Sequence, residues 1–157
     1  MHEIHQSDTA FDLESFLPYL LNQAAEATSR SFQAIYKAEY GMTRTQWRVL
    51  ANLGKFGAMT ATGICRISHI EKTKVSRAVA ALEQRGFLAR VASQADKRSE
   101  TLWLTADGAG VFRHLGQLAQ THDANLRARL GGSATEALEQ VLRGLAASLP
   151  PADGADD

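Results

Sequence analysis

The stretch from Thr60 to Thr105 constrains this chain more than any other part of it. It reads as two short helices, a tight hairpin and the start of a further helix. Its centre is Lys72-Thr73-Lys74-Val75-Ser76-Arg77-Ala78-Val79-Ala80-Ala81-Leu82-Glu83-Gln84-Arg85-Gly86. Asp96-Lys97-Arg98 and then Leu104-Thr105-Ala106-Asp107-Gly108 follow it. On a helical wheel Val75, Val79 and Leu82 fall on one side, expected to pack on Ile64 and Trp47. Thr73, Ser76, Arg77, Ala80 and Gln84 fall on the other. This order predicts a helix-turn-helix whose second helix is backed by a β-wing. Ala80 and Ala81 keep the helix slim, as entry into a DNA major groove requires.

Charge follows the same division. The 157 residues carry 17 basic and 17 acidic side chains, a formal net charge of zero. Residues 44 to 98 hold 11 of the basic and 3 of the acidic residues, a net +8, which leaves −8 on the remainder. A basic module facing a polyanion, joined to an acidic module with another task, is the expectation.

Outside this stretch, helices are legible from apolar spacing and caps. The first is expected from Pro18 to Tyr40, stopped by Gly41, with Leu17, Leu20, Leu21, Ala24, Phe32, Ile35 and Tyr36 in its apolar stripe. Thr43-Arg44-Thr45-Gln46 is a capping box opening a second helix that buries Trp47, Leu50 and Leu53. Thr60 caps a short helix, and Ser68-His69-Ile70 turns into the helix Glu71 to Arg85, which Gly86 stops. Strands are expected over Phe87–Val91 and Thr101–Leu104. Thr105 caps a long helix ending at Gly131-Gly132, and Ser133-Ala134-Thr135-Glu136 reads as a second capping box. The final helix carries Leu138, Val141, Leu142 and Leu145 and ends before Pro150-Pro151. The fold class is mainly α with a small β-wing: a winged helix-turn-helix lobe at 43–105, joined to a helical dimerisation region at 12–42 and 106–149. Segments 1–11 and 150–157 have little to bury and are expected to be disordered. The terminal helices carry more apolar surface than the small lobe covers, so a homodimer is expected.

No run approaches the roughly 20 apolar residues of a membrane span. The start of the chain lacks the basic and apolar regions of a signal peptide. The one cysteine, Cys65, has no partner for a disulfide. A cytoplasmic protein without membrane, metal or cofactor is expected.

The candidate DNA contacts are Thr60 and Thr62 on the first helix of the pair, and Lys72, Thr73, Lys74, Ser76 and Arg77 on the second. The second set would combine base-edge contacts with phosphate contacts at a helix N-terminus. Asp96, Lys97 and Arg98 form the hairpin tip. A planar arginine there suits the narrow, negative minor groove, and Asp96 could pair with Arg77.

Val75-Ser76-Arg77, Leu82-Glu83-Gln84-Arg85-Gly86, Asp96-Lys97-Arg98, Leu104-Thr105-Ala106-Asp107-Gly108 and, upstream, Thr45-Gln46-Trp47-Arg48-Val49-Leu50 together resemble the MarR family of bacterial transcription regulators. The likeness covers roughly residues 12 to 148. It implies paired winged lobes in a homodimer on a pseudo-palindromic double-stranded operator. It also implies repression of nearby genes, relieved by a small organic ligand, often aromatic or phenolic, in a crevice between dimer helices and winged lobe. By position the ligand candidates are Phe32, Tyr36, Trp47, Arg48 and His114, with Arg48 the cation for a carboxylate. Peroxide-sensing members resemble one another in a cysteine near the start of the first helix, and residues 11 to 30 here hold none. His114 and His122 are too far apart for the zinc-sensing pattern. Alternatives are an activator, a redox-responsive regulator acting through Cys65, and a winged module that binds protein. An enzyme is not expected, because no nucleophile–base order, Gly-rich phosphate loop or carboxylate pair is present.

Overall fold

The computed structural model describes residues 11–95 and 98–149. Of the segments expected to be disordered, 1–11 and 150–157, Phe11 is described and meets the Phe16 ring edge-on at 5.2 Å; the rest, and the contacts expected of Asp96 and Lys97, lie outside the described residues. The elements are α1 (Leu17–Tyr40), α2 (Arg44–Phe56), β1 (Met59–Thr60), α3 (Ala61–Ser68), α4 (Lys72–Gln84), β2 (Leu88–Ala92), β3 (Glu100–Leu104), α5 (Ala106–Leu130) and α6 (Gly132–Ser148). They form two compact units, with the boundary inside α5 after Phe112.

The first unit follows its local signals closely. A 3-10 turn at Leu13–Ser15 precedes α1, capped by the Asp12 carboxylate, which accepts from the Glu14 amide at 3.1 Å. Gly41 ends α1 at φ 63°, a left-handed conformation that only glycine adopts without strain. The Thr43 hydroxyl accepts from the Gln46 amide at 3.2 Å, and the Gln46 side chain accepts from the Thr43 amide at 3.3 Å. Those two bonds satisfy donors that the first turn of α2 would otherwise leave open. Thr60 caps α3 through a bond from the Gly63 amide. His69 turns the chain toward α4 at φ 53°.

Val49, Leu50, Leu53, Ile64, Val75, Val79, Leu82, Leu88 and Leu102 are all buried. This core is where α2 and α3 pack on α4 and the sheet closes one side. Each large side chain fully buried in it contributes roughly 1.5–3 kcal/mol. Trp47, expected beside Ile64, has its ring contacts with α1. Its ring stacks on Tyr36 with centroids 5.9 Å apart and meets Phe32 edge-on at 5.4 Å, so it docks against α1.

The wing has three strands in the order β1-β3-β2, all antiparallel, where two were expected. Met59 pairs with Leu102 and Thr60 with Thr101. In the hairpin, Leu88 pairs with Leu104 and Arg90 with Leu102. A strand of two residues carries no alternation for a sequence to display.

An ion pair fastens α1 to α2. Arg44 reaches both oxygens of Glu26, at 2.8 and 3.1 Å, and Arg30 adds a bond at 3.1 Å one turn along α1. Hydrogen bonds from Arg44 and then Arg30 pull the Glu26 carboxyl from its ordinary 4.5 down to about 2. A depressed carboxylate stabilises the fold above its unfolded value, and that stabilisation is lost as pH falls through the folded one. Glu26→Gln will therefore flatten the pH dependence of the melting temperature between about 4.5 and 2. An unchanged acid limb in thermal melts would show that the pair does nothing for the fold.

In the second unit Arg127 of α5 bonds Asp123 at 2.7 Å on its own helix and Glu139 of α6 at 3.1 Å. The second capping box does not form. Helix α6 begins at Gly132, so Ser133 lies within it, and the cap position is Gly131 at φ 88°. Gly131 makes the reversal unaided. The Thr135 hydroxyl turns back to the Gly131 carbonyl at 2.8 Å.

Candidate nucleic-acid interface

Helix α4 divides along its length. Val75, Ala78, Val79 and Leu82 are buried, while Lys72, Thr73, Lys74, Ser76, Arg77, Ala80 and Gln84 are exposed. The outward row matches the sequence reading, because a 3.6-residue period fixes which side chains can reach the core. Among the described residues no side chain caps the N-terminus of α4, and its first turn holds no acidic residue. Open backbone N–H groups and the positive end of the helix dipole therefore meet Lys72 and Lys74 in one place, an arrangement suited to phosphate. Beyond it lies a row of short polar side chains and one arginine, of a size to reach base edges.

The root of the wing is held by bonds to backbone carbonyls. The Phe87 amide donates to the Leu82 carbonyl at 2.9 Å, and the Thr105 hydroxyl donates to the Gly86 carbonyl at 2.6 Å. Gly86 itself sits at φ 76°. The Arg85 guanidinium lies over the Phe87 ring, 4.9 Å from its centre. At the far end the Ser93 amide donates to the Ser99 carbonyl at 2.8 Å and closes the loop. Arg98 lies inside that closed tip and is exposed.

Not every candidate faces outward with a side chain to spare. The Thr60 hydroxyl is engaged in capping α3, whereas Thr62 is exposed. Of the basic residues between 44 and 98, Arg44 is paired with Glu26, and Arg90 with Glu83 and Glu100. The raw charge of that segment overstates what is available to a polyanion. Sequence reasoning missed both networks. Glu26 and Arg30 show the four-residue spacing of a helical pair, but Arg44 lies 18 positions away and carries no periodic signal.

Among the ligand candidates, Phe32, Tyr36 and Trp47 come together with ring centroids 5.4–5.9 Å apart. Burial raises the Tyr36 phenol above its ordinary value, partly offset by the nearby charge and hydrogen bond of Arg44 and by the charge of Arg48. Arg48 directs its guanidinium to the Ser68 carbonyl at the end of α3, and Asn52 donates to the Ser68 hydroxyl at 2.9 Å. Arg48 thus braces the helix-turn-helix. His114, half-buried on α5, belongs to the second unit. Among the described residues no group of three or more His, Cys, Asp or Glu side chains could hold a metal ion, and no helix is long and apolar enough to cross a membrane.

An outward polar face on a helix packed by its predecessor, with an arginine-tipped hairpin beside it, defines a winged helix-turn-helix DNA-binding protein. The sequence profile of the MarR family matches residues 40–99. The MarR family transcriptional regulator SPO1453 from Silicibacter pomeroyi is 31% identical, with 89% of this chain and 99% of that one covered at a TM-score of 0.77. The chain belongs to the MarR family of transcription regulators. The fold is shared more distantly with a mutant of MarR from E. coli complexed with operator DNA, at 22% identity, a TM-score of 0.73 and 85% and 94% coverage. It is also shared with BpsR of Bordetella bronchiseptica, whose DNA binding is regulated by 6-hydroxynicotinic acid, at 22% identity, a TM-score of 0.75 and 88% and 98% coverage.

Proposed function

We propose that the protein is a homodimeric repressor that binds a pseudo-palindromic operator and is released from it by a small organic ligand. The observation that carries this reading is the division of α4, with one row buried and the other, from Lys72 to Gln84, exposed. Thr62, Thr73, Ser76 and Arg77 supply contacts to bases and phosphates, Lys72 and Lys74 supply phosphate contacts, and Arg98 enters the minor groove. Asp96 and Lys97 are proposed as DNA-binding residues with it. Support comes from the E. coli MarR mutant, which has this fold and is seen on operator DNA.

The dimer is supported by apolar surface left open on each unit. In the first, Phe11, Leu13, Phe16 and Leu17 are 45–59% exposed. In the second, Leu138, Val141, Leu142 and Leu149 are 43–62% exposed. Apolar stripes of this length are covered in solution, and a second copy of the chain offers matching stripes to cover them. Light scattering at micromolar concentration will give twice the chain mass of 17.0 kDa, and a monomer mass would refute the pairing. Repression needs the least further machinery, since a dimer seated across a promoter excludes the polymerase.

For release, the half-buried Phe32 and Trp47 rings are the proposed surface for an aromatic ligand, with the fully buried Tyr36 and with Arg48 and His114 as further candidates. BpsR and its hydroxylated aromatic acid support that class of ligand. Anisotropy of a labelled operator duplex tests the whole reading. Affinity will fall steeply as salt rises, as phosphate neutralisation demands, and an aromatic carboxylate will release the DNA. Affinity independent of salt and sequence would refute it.

A further inference from the structure

We propose that Arg90 is the positioning residue of the wing: its ion triad with Glu83 and Glu100 sets the pitch of the hairpin against α4, so that wing tip and recognition helix meet DNA together. The inference rests on the DNA-binding reading above and names how its two contact surfaces are kept in register. Arg90 stands in the middle of β2, and Glu83 lies in the last turn of α4. Arg90 Nε donates to Glu83 Oε2 at 2.9 Å and Nη2 to Glu83 Oε1 at 3.0 Å. The third contact, Nη1 to Glu100 Oε2 at 3.1 Å, crosses to β3.

A two-point grip by a planar guanidinium fixes direction as well as distance, which a single contact does not. One residue thereby ties the recognition helix to both strands of the hairpin. Register agrees with this: Arg90 pairs with Leu102 and Ala92 with Glu100, which puts Arg90 and Glu100 on one face of the sheet. The triad holds two carboxylates and one guanidinium, a net charge of −1, so it does not attract a phosphate. Its effect on DNA passes through geometry.

The lever is long. From Leu88 to Gln94 the arm of the hairpin extends roughly 20 Å, so a tilt of about 10° at the root displaces its end by roughly 3.5 Å, more than the length of a hydrogen bond. The hydrogen bonds at Gly86, Phe87 and Thr105 hold the root itself. Arg90 acts two residues above it, where a small displacement changes the angle and is amplified at the tip.

The test has two arms. In a Cys65→Ser background, nitroxide labels at Gln84→Cys and Gln94→Cys report the distance from the end of α4 to the wing tip, with labelled chains diluted into unlabelled ones. The distance distribution will be narrow with Arg90 present, broad in Arg90→Ala and intermediate in Arg90→Lys, whose ammonium cannot grip both carboxylates. Glu83→Gln, which keeps the packing, will broaden it as well and serves if Arg90→Ala fails to fold. In the second arm Arg98→Ala will weaken selected operator DNA by at least about fivefold in the wild type, but by less than about twofold in the Arg90→Ala background. A loss of stability alone would leave the two effects additive. Equal widths in all variants, equal penalties in both backgrounds, or no penalty for Arg98→Ala in the wild type would each overturn the proposal. If the wild type bound no duplex, the DNA-binding reading would fall while the label distances still decided whether the triad sets the angle.

Discussion

Arg77→Ala will weaken binding to the cognate operator by about 1–3 kcal/mol while leaving non-specific duplex affinity nearly unchanged. The reason is where Arg77 stands. It lies on the exposed row of α4, one turn beyond the uncapped N-terminus, with Thr73 and Ser76 beside it. A guanidinium at that distance from the helix start reaches base edges, and two donors on one purine discriminate between sequences. Lys74→Ala, in the first turn, will act differently: affinity will drop for every sequence alike and the salt dependence will become shallower by about one phosphate. Paired anisotropy titrations on operator and scrambled duplexes, at several salt concentrations, separate the two. If Arg77→Ala weakened both duplexes equally, Arg77 would be a phosphate contact and the base-reading role would pass to its neighbours.

Gly108→Ala will destabilise the protein by about 3 kcal/mol or more, lowering the melting temperature by roughly 10 °C. A Cβ at Gly108 would stand 1.8 Å from the Phe87 carbonyl oxygen, and that atom is backbone, so no side-chain rotation relieves the clash. Phe87 is also the root of the wing, and its carbonyl accepts from the Thr105 amide at 3.1 Å. The cost therefore falls on the junction of hairpin and α5. Gly116→Ala is the control: a Cβ there meets nothing within 4 Å, and alanine in a helix is favoured over glycine by roughly 0.5–1 kcal/mol. Calorimetry giving both variants the same melting temperature would contradict the packing described at the wing root.

What the sequence made legible was the part written in local rules. The Thr43–Gln46 box, the Thr60 cap, the Gly41 stop and the two faces of α4 each follow from residues close together in the chain. Other features were not legible. Strand β1 is two residues long and exists because β3 lies beside it. The Glu26–Arg44 and Glu83–Arg90–Glu100 networks join residues 7 to 18 apart on different elements, and charge alone did not distinguish Arg90 from Arg77. The stripe of α2 places Trp47 on the buried side but does not show that its ring meets Phe32 and Tyr36 of α1. The Ser133 box failed because Gly131 supplied the reversal two residues earlier.

Selection of bound duplexes from a randomised DNA library tests the central claim most directly. The expected result is enrichment of an inverted repeat whose half-sites lie about 10 base pairs apart, one helical turn, with one dimer bound per site. Recovery of unenriched random sequence, or of a single half-site bound by one chain, would contradict it.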